Sequence, residues 1–150
     1  MIDVSVCMIT YNHSKYVRKA IRGVFNQESN LIIELLISDD FSTDGTDEII
    51  QEELRNTPQG FIVNYIKRKK NVGVNENFIN ALYNCRGKYI AICEGDDYWD
   101  DNNKLAIQYE FLSNNKGFVM SFHDGFIVKE NRVTGDMILN NSIKKNILIV

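Results

Sequence analysis

Two rhythms of apolar residues alternate along this chain. Continuous apolar runs, rich in Val, Ile, Phe and Tyr, occupy Val4 to Thr10, Leu31 to Ser38, Phe61 to Lys67 and Lys88 to Cys93. Their length and β-branched content predict strands, and their continuity predicts a mainly parallel sheet covered on both faces. Between them the spacing lengthens to three and four residues. In Lys15 to Asn26 the stripe is Val17, Ala20, Ile21, Val24 and Phe25; in Asn75 to Asn84 it is Phe78, Ile79, Leu82 and Tyr83. Each predicts a helix with one core-facing side. Ser42-Thr43-Asp44 offers an N-cap for a helix over Thr46 to Leu54, whose wet face holds Asp47, Glu48, Glu52 and Glu53. A fourth helix is predicted over Asn103 to Leu112, then strand-like Phe118 to Phe122 and Phe126 to Lys129. The order βαβαβαβα predicts an α/β, doubly wound sheet. Right-handed crossovers then bring the segments after the first, second and fourth strands to one edge, where open sheets bind ligands.

Composition narrows the class. With 150 residues and 44% hydrophobic content the chain suits one domain. A net charge of −3 and a pI near 5.4 give no basic face for nucleic acid; the one basic run, Lys67-Arg68-Lys69-Lys70, reads as a solvated loop. Three cysteines, Cys7, Cys85 and Cys93, at irregular spacing fit neither a disulfide framework nor a zinc site, which points to a reducing compartment. No leader-like or membrane-spanning stretch is visible. The final run Ile147-Leu148-Ile149-Val150 has no cap or polar tail, and reads as an element cut midway.

Polar residues cluster after three strands: Thr10-Tyr11-Asn12-His13, Ser38-Asp39-Asp40-Phe41-Ser42-Thr43-Asp44-Gly45, and Glu94-Gly95-Asp96-Asp97. Five carboxylates between Glu94 and Asp101 would repel one another unless a cation sat among them.

Four segments, "VSVCMITYN", "ELLISDDFSTDGT", "NVGVNENF" and "GKYIAICEGDDYWDDNNKL", resemble in order and spacing the signature of the family 2 glycosyltransferases of GT-A fold, over roughly residues 3 to 112. The resemblance implies a donor-binding domain spanning 1–150, incomplete at its C-terminus. It implies a metal-dependent, inverting transfer from a nucleotide-diphosphate sugar, with UDP the leading carrier, to a glycan or lipid-linked acceptor, as in cell-surface polysaccharide synthesis. Thr10, Tyr11 and Asn12 would line the base and ribose pocket. Asp40, with Asp39 beside it, would accept from the base N–H groups, a role suited to an ionised acceptor. Asn71 and Gly73 would approach the nucleotide; the arginine that the family often places shortly afterwards is replaced by Asn77 and Phe78, leaving Lys69 or Lys70 for the phosphate. Glu94, Gly95 and Asp96 would complete the donor site, and Asp96 and Asp97 would hold Mg²⁺ or Mn²⁺. His13 and His123 read as poor catalytic candidates. The general base is expected beyond Val150, so no catalytic residue is assigned within the chain. A cytoplasmic location follows, with attachment at the inner face of a membrane as a variant.

Two other classes compete. A non-catalytic nucleotide-binding fragment would keep the pocket without transfer. A Mg²⁺-dependent receiver would need its acid pair after the first strand, where "ITYNHS" stands; the same segment lacks the glycine-rich loop of a nucleotidyltransferase.

Overall fold

A computed structural model gives the architecture, and residues 1–129 and 132–137 are described. The element order is β1 (Val4–Thr10), α1 (Val17–Phe25), β2 (Ile33–Asp39), α2 (Thr46–Leu54), β3 (Phe61–Lys67), α3 (Val74–Asn84), β4 (Tyr89–Ile92), α4 (Lys104–Asn114), β5 (Phe126–Lys129) and β6 (Arg132–Met137). The chain divides into two compact units, Met1–Ala106 and Ile107–Val150. In the first, β3-β2-β1-β4 form a sheet, every pairing parallel, with Val4 opposite Ile33 and Tyr89, and Ile33 opposite Phe61. The second contains the antiparallel β5-β6 ribbon.

Continuous hydrophobicity predicts four strands covered on both faces, and β1 and β2 obey, each buried along its whole length. The side chains of Leu35, Leu36 and Ile37 are wholly inaccessible, and each contributes about 1.5–3 kcal/mol by leaving water. β3 and β4 depart from the expectation. As the outer strands of the described sheet they carry half-buried and exposed positions and no fully buried one, because each has one neighbour among the described strands rather than two. Ile90 and Ile92 on β4 are 45% and 51% exposed.

One expectation further along is corrected. Phe118 to Phe122 is irregular apart from a bridge at Phe122: Phe118 instead closes a turn through its N–H to the Asn115 carbonyl at 3.0 Å and sets its ring 5.4 Å from that of Phe111. Strand propensity without a ladder partner does not make a strand. The Ile147 to Val150 run lies outside the described residues.

Helix α1 presents Val17, Ala20, Ile21 and Val24 to the core. Its Gly23 rests on the backbone of Trp99, where an added Cβ would come within 2.7 Å of the Trp99 carbonyl oxygen. Arg22 forks onto Glu53 of α2 at 2.8 and 2.9 Å. At the start of α2, Gly45 takes φ 94° and Asp44 does the capping, its Oδ1 accepting from the N–H of Thr46 at 3.1 Å and the hydroxyl of Thr46 at 2.6 Å; its Oδ2 accepts from the Ser14 N–H at 3.0 Å. Desolvation works to raise the Asp44 carboxyl, but the hydrogen bonds from Thr46 and Ser14 outweigh it and hold the group at about 2, against an ordinary 3.8. A depressed carboxylate adds stability that is complete above its unfolded value and disappears as pH falls through its folded one. Asp44→Ala is therefore expected to cost about 1 kcal/mol at pH 7, and the gap from wild type in urea melts should narrow between pH 4 and 2.

Candidate functional site

Four loops meet at the carboxyl edge of the sheet. The first follows β1 and is tied to the second, after β2, by backbone and side-chain bonds. Asp40 N–H donates to the Thr10 carbonyl at 2.9 Å. Asn12 N–H donates to Ser42 Oγ at 2.9 Å, and Thr43 N–H donates to Asn12 Oδ1 at 2.9 Å. Asn12 adopts φ 56°, a left-handed conformation that asparagine tolerates better than most side chains. Its carbonyl oxygen is thus committed to joining the two loops. The fourth loop, after β4, hangs from the same strand: Gly95 N–H donates to the Ile9 carbonyl at 2.9 Å.

The two acids after β2 occupy different environments. Asp39, read from the sequence as a donor-binding residue, is turned inward with no exposed surface. Its Oδ1 accepts from the Ser42 N–H at 3.1 Å and from the Ser42 hydroxyl, and Tyr65 OH lies 3.4 Å from Oδ2. It closes the turn from within. Asp40 is 2% exposed and faces the third loop, where Oδ1 accepts from Val72 N–H and Oδ2 from Gly73 N–H, both at 2.9 Å. Asn71 completes that contact, its Nδ2 donating to the Asp40 carbonyl at 3.2 Å and its Oδ1 accepting from Gly73 N–H at 3.1 Å. Two oxygens offer about four acceptor positions, so Asp40 retains capacity after its two backbone partners. Asn71 and Gly73, with φ 90° at the glycine, hold this acid in place.

Arg68 is the cation that sequence reasoning overlooked. Its Nε donates to Asn77 Oδ1 at 2.6 Å and stands 4.0 Å from Asp40 Oδ1. Asn77 is itself buried and locked to β2, accepting from Ser38 Oγ at 2.6 Å and donating to the Ser38 carbonyl at 3.0 Å. The family pattern directs attention to α3 for an arginine; here the guanidinium arrives from the end of β3, and Asn77 anchors it. Position 68, one residue past a strand whose end lies beside Asp39, was the available signal.

In the fourth loop Gly95 is buried while Glu94, Asp96 and Asp97 are exposed. A Cβ on Gly95 would lie 2.7 Å from Thr10 Oγ1 and 3.0 Å from His13 Nδ1, so close packing there requires glycine. Those two polar atoms are buried without a hydrogen-bond partner. His13 Nε2 is 3.8 Å from Asp96 Oδ2, which moves His13 from a bystander to a neighbour of the acidic loop. Burial first, and then the charges of Asp96 and Asp97, push the Glu94 carboxyl up. Trp99 packs beneath the loop at 9% exposure, with the Lys104 ammonium 4.1 Å from its ring centre, and Lys19 lies 3.4 Å over Tyr98. Loss of solvent lowers Lys104 to about 8.

Among the described residues no group of three or more His, Cys, Asp and Glu side chains is placed to hold a metal by itself. The donor set still fits a hard divalent ion, which takes one or two carboxylates and draws further oxygens from water and substrate phosphate. Three carboxylates fall within four consecutive positions at Glu94, Asp96 and Asp97, and a cation relieves repulsion in such a group.

The sequence model of glycosyl transferase family 2 matches residues 5–148. The chain belongs to this family. Among family relatives, the abequosyltransferase RfbV of Salmonella typhimurium is 37% identical over 110 residues, 73% of this chain and 32% of the relative. The first unit's fold recurs in Staphylococcus aureus TarS 1-349, solved in complex with UDP, with 25% identity, a TM-score of 0.67, and coverage of 77% of this chain and 33% of that one. It recurs also in the Pyrobaculum calidifontis mannosyltransferase PcManGT, solved with GDP-Man and Mn2+, at 20% identity and TM-score 0.67, covering 85% of this chain and 35% of the other. The chain spans about a third of the length of the curated relatives that match it first. The parallel sheet flanked by helices is thus the GT-A type of architecture. On the family 2 framework, Asp40, Arg68 and the Glu94 to Asp97 loop all belong to the carboxyl edge. No helix among the described residues is long and apolar enough to cross a membrane.

Proposed function

We propose that this protein is a metal-dependent, inverting glycosyltransferase that moves a sugar from a nucleotide-diphosphate donor, UDP-linked in the leading case, to a glycan or lipid-linked acceptor. The observation that carries the reading is the gathering of an anchored acid, Asp40, a guanidinium 4.0 Å from it, and the crowded Glu94, Asp96 and Asp97 loop on one sheet edge of a family 2 chain. The known structures solved with UDP and with GDP-Man and Mn2+ support it. Asp40 offers an ionised acceptor to base N–H groups, and Tyr11, 45% exposed, flanks the base. Arg68, with Lys69 and Lys70 after it, supplies positive charge towards the diphosphate. Asp96 and Asp97 would hold Mg²⁺ or Mn²⁺, which when bound offsets charge on the leaving diphosphate as a Lewis acid. The group that takes the acceptor hydroxyl proton is assigned to the acceptor side, outside the donor half formed here. The transfer belongs to the cytoplasmic side.

Calorimetry with UDP and GDP, each with and without Mn²⁺, tests the base pocket through Asp40→Ala. A hydrogen bond to a charged group contributes about 1.5–3 kcal/mol, so UDP affinity should fall about 10- to 150-fold while Mn²⁺ affinity stays nearly unchanged. The reverse pattern would reassign Asp40 to the metal. Asp40→Asn keeps the shape but only one acceptor oxygen, and sets an amide NH2 against either the Val72 or the Gly73 N–H; urea melts of both variants, run beside the calorimetry, separate loss of loop support from loss of base recognition.

A further inference from the structure

The loops after β1 and β2 carry two aromatic rings that packing leaves open. Tyr11 is 45% exposed and Phe41 is 43% exposed. Two cross-links bracket both residues: Asp40 N–H to the Thr10 carbonyl on one side, and Asn12 N–H to Ser42 Oγ on the other, each 2.9 Å. Tyr11 and Phe41 therefore share one short cell at the sheet edge, beside Asp40.

Phe41 is held there at φ 68°. Any residue with a Cβ is disfavoured in that region, and a bulky ring more than most. Among the described residues the other positive-φ positions are Asn12, Gly45, Gly60 and Gly73, the residue types that tolerate it. Phe41 alone breaks the pattern. Its neighbours impose the conformation: Ser42 N–H donates to Asp39 Oδ1 at 3.1 Å across it, and Asp40 is clamped to Val72 and Gly73. Local stability would favour asparagine or glycine at this turn. A ring kept in a costly conformation and left open to solvent points to a role towards a ligand.

We propose that Phe41 and Tyr11 form a two-sided aromatic clamp for the nucleobase of the donor, with Phe41 a specificity-determining residue beside the base acceptor Asp40. This rests on the donor-site reading above. A base has a flat π-face, and stacking on an aromatic side chain changes affinity by about 5- to 150-fold.

The test uses Phe41→Asn, Phe41→Gly and Phe41→Trp in the intact protein, with UDP, GDP and inorganic pyrophosphate titrated in the presence of Mn²⁺. The Asn and Gly variants should keep or raise Tm, lose 5- to 150-fold in affinity for the nucleotide the wild type prefers, and bind pyrophosphate as wild type does; Trp should retain nucleotide affinity. Unchanged nucleotide affinity would overturn the clamp. So would an equal loss for pyrophosphate, which lacks a base, or a fall in Tm in both small variants, which would mark the ring as packing. A wild type that binds pyrophosphate with Mn²⁺ but neither nucleotide would overturn the clamp and leave the metal assignment standing; binding of none of the three would remove the donor-site reading itself.

Discussion

Asp97→Ala is expected to abolish the Mn²⁺ or Mg²⁺ dependence of UDP binding, with a loss of at least about 100-fold in affinity at saturating metal. A diphosphate brings concentrated negative charge to an edge that already carries Glu94, Asp96 and Asp97, where burial first and then the two aspartate charges push the Glu94 carboxyl up. Without a cation the two would repel; a metal held by the loop reverses the sign, an effect on the order of several kcal/mol. Removing one of the two carboxylates proposed to hold the metal should therefore cost far more than a surface charge pair. Calorimetry with and without EDTA checks this. Metal-independent binding of equal strength in wild type and variant would remove the metal role. The fold should tolerate the change, because Asp97 is exposed and the loop is held by Gly95 to Ile9 and by Trp99.

The second large effect lies at the opposite end of the sheet. Glu34 has no exposed surface although it sits within β2, and its carboxylate accepts from Ser5 Oγ, the Arg86 N–H at 3.0 Å, Arg86 Nε at 2.8 Å and a terminal Arg86 nitrogen at 2.6 Å. Burial pushes this carboxyl up, but the hydrogen bonds from Ser5 and Arg86 outweigh it and hold the group below its ordinary range. Arg86→Ala should destabilise by about 2–4 kcal/mol, below the upper end for a broken buried pair because the arginine side chain is 59% exposed. The sign with pH follows. Glu34 contributes stability above its unfolded value and loses it as pH falls through its lowered folded value. The deficit should thus be greatest near neutrality and shrink on acidification, when a protonated Glu34 no longer needs a cation. Urea melts across pH 7 to 3 provide the measurement. Adding Glu34→Gln to Arg86→Ala should recover part of the loss.

Glu34 also shows why some of the structure was illegible beforehand. An acid inside an apolar strand gives no sign of burial, and its partner stands 52 residues later. By contrast β3 was readable to the residue, Phe61–Lys67, because a short strand bounded by Pro58-Gln59-Gly60 and a basic run has clear ends. The clustering of acids after β2 and β4 was equally plain, since topology alone brings those segments to one edge. What remained hidden depends on three-dimensional detail. Asp39 and Asp40 are adjacent in sequence and diverge only because one meets Ser42 and the other Val72 and Gly73. Arg68 was passed over because a run of four basic residues does not say which one turns towards Asp40. A left-handed backbone at Phe41 has no sequence signal at all when the residue is not glycine.

One feature of β1 sets the scale of the whole edge. Two consecutive carbonyls, Ile9 and Thr10, each tether a different acidic loop, the one after β4 through Gly95 and the one after β2 through Asp40. Adjacent residues on a strand are separated by about 3.3 Å, so the offset between the two loops is a single step on one rigid ruler. Inserting or deleting one residue before Ile9 would shift both loops together and flip the faces of β1, whereas a change between Ile9 and Thr10 would alter the gap itself. Lengthening that gap is the route by which this edge would come to measure a different ligand.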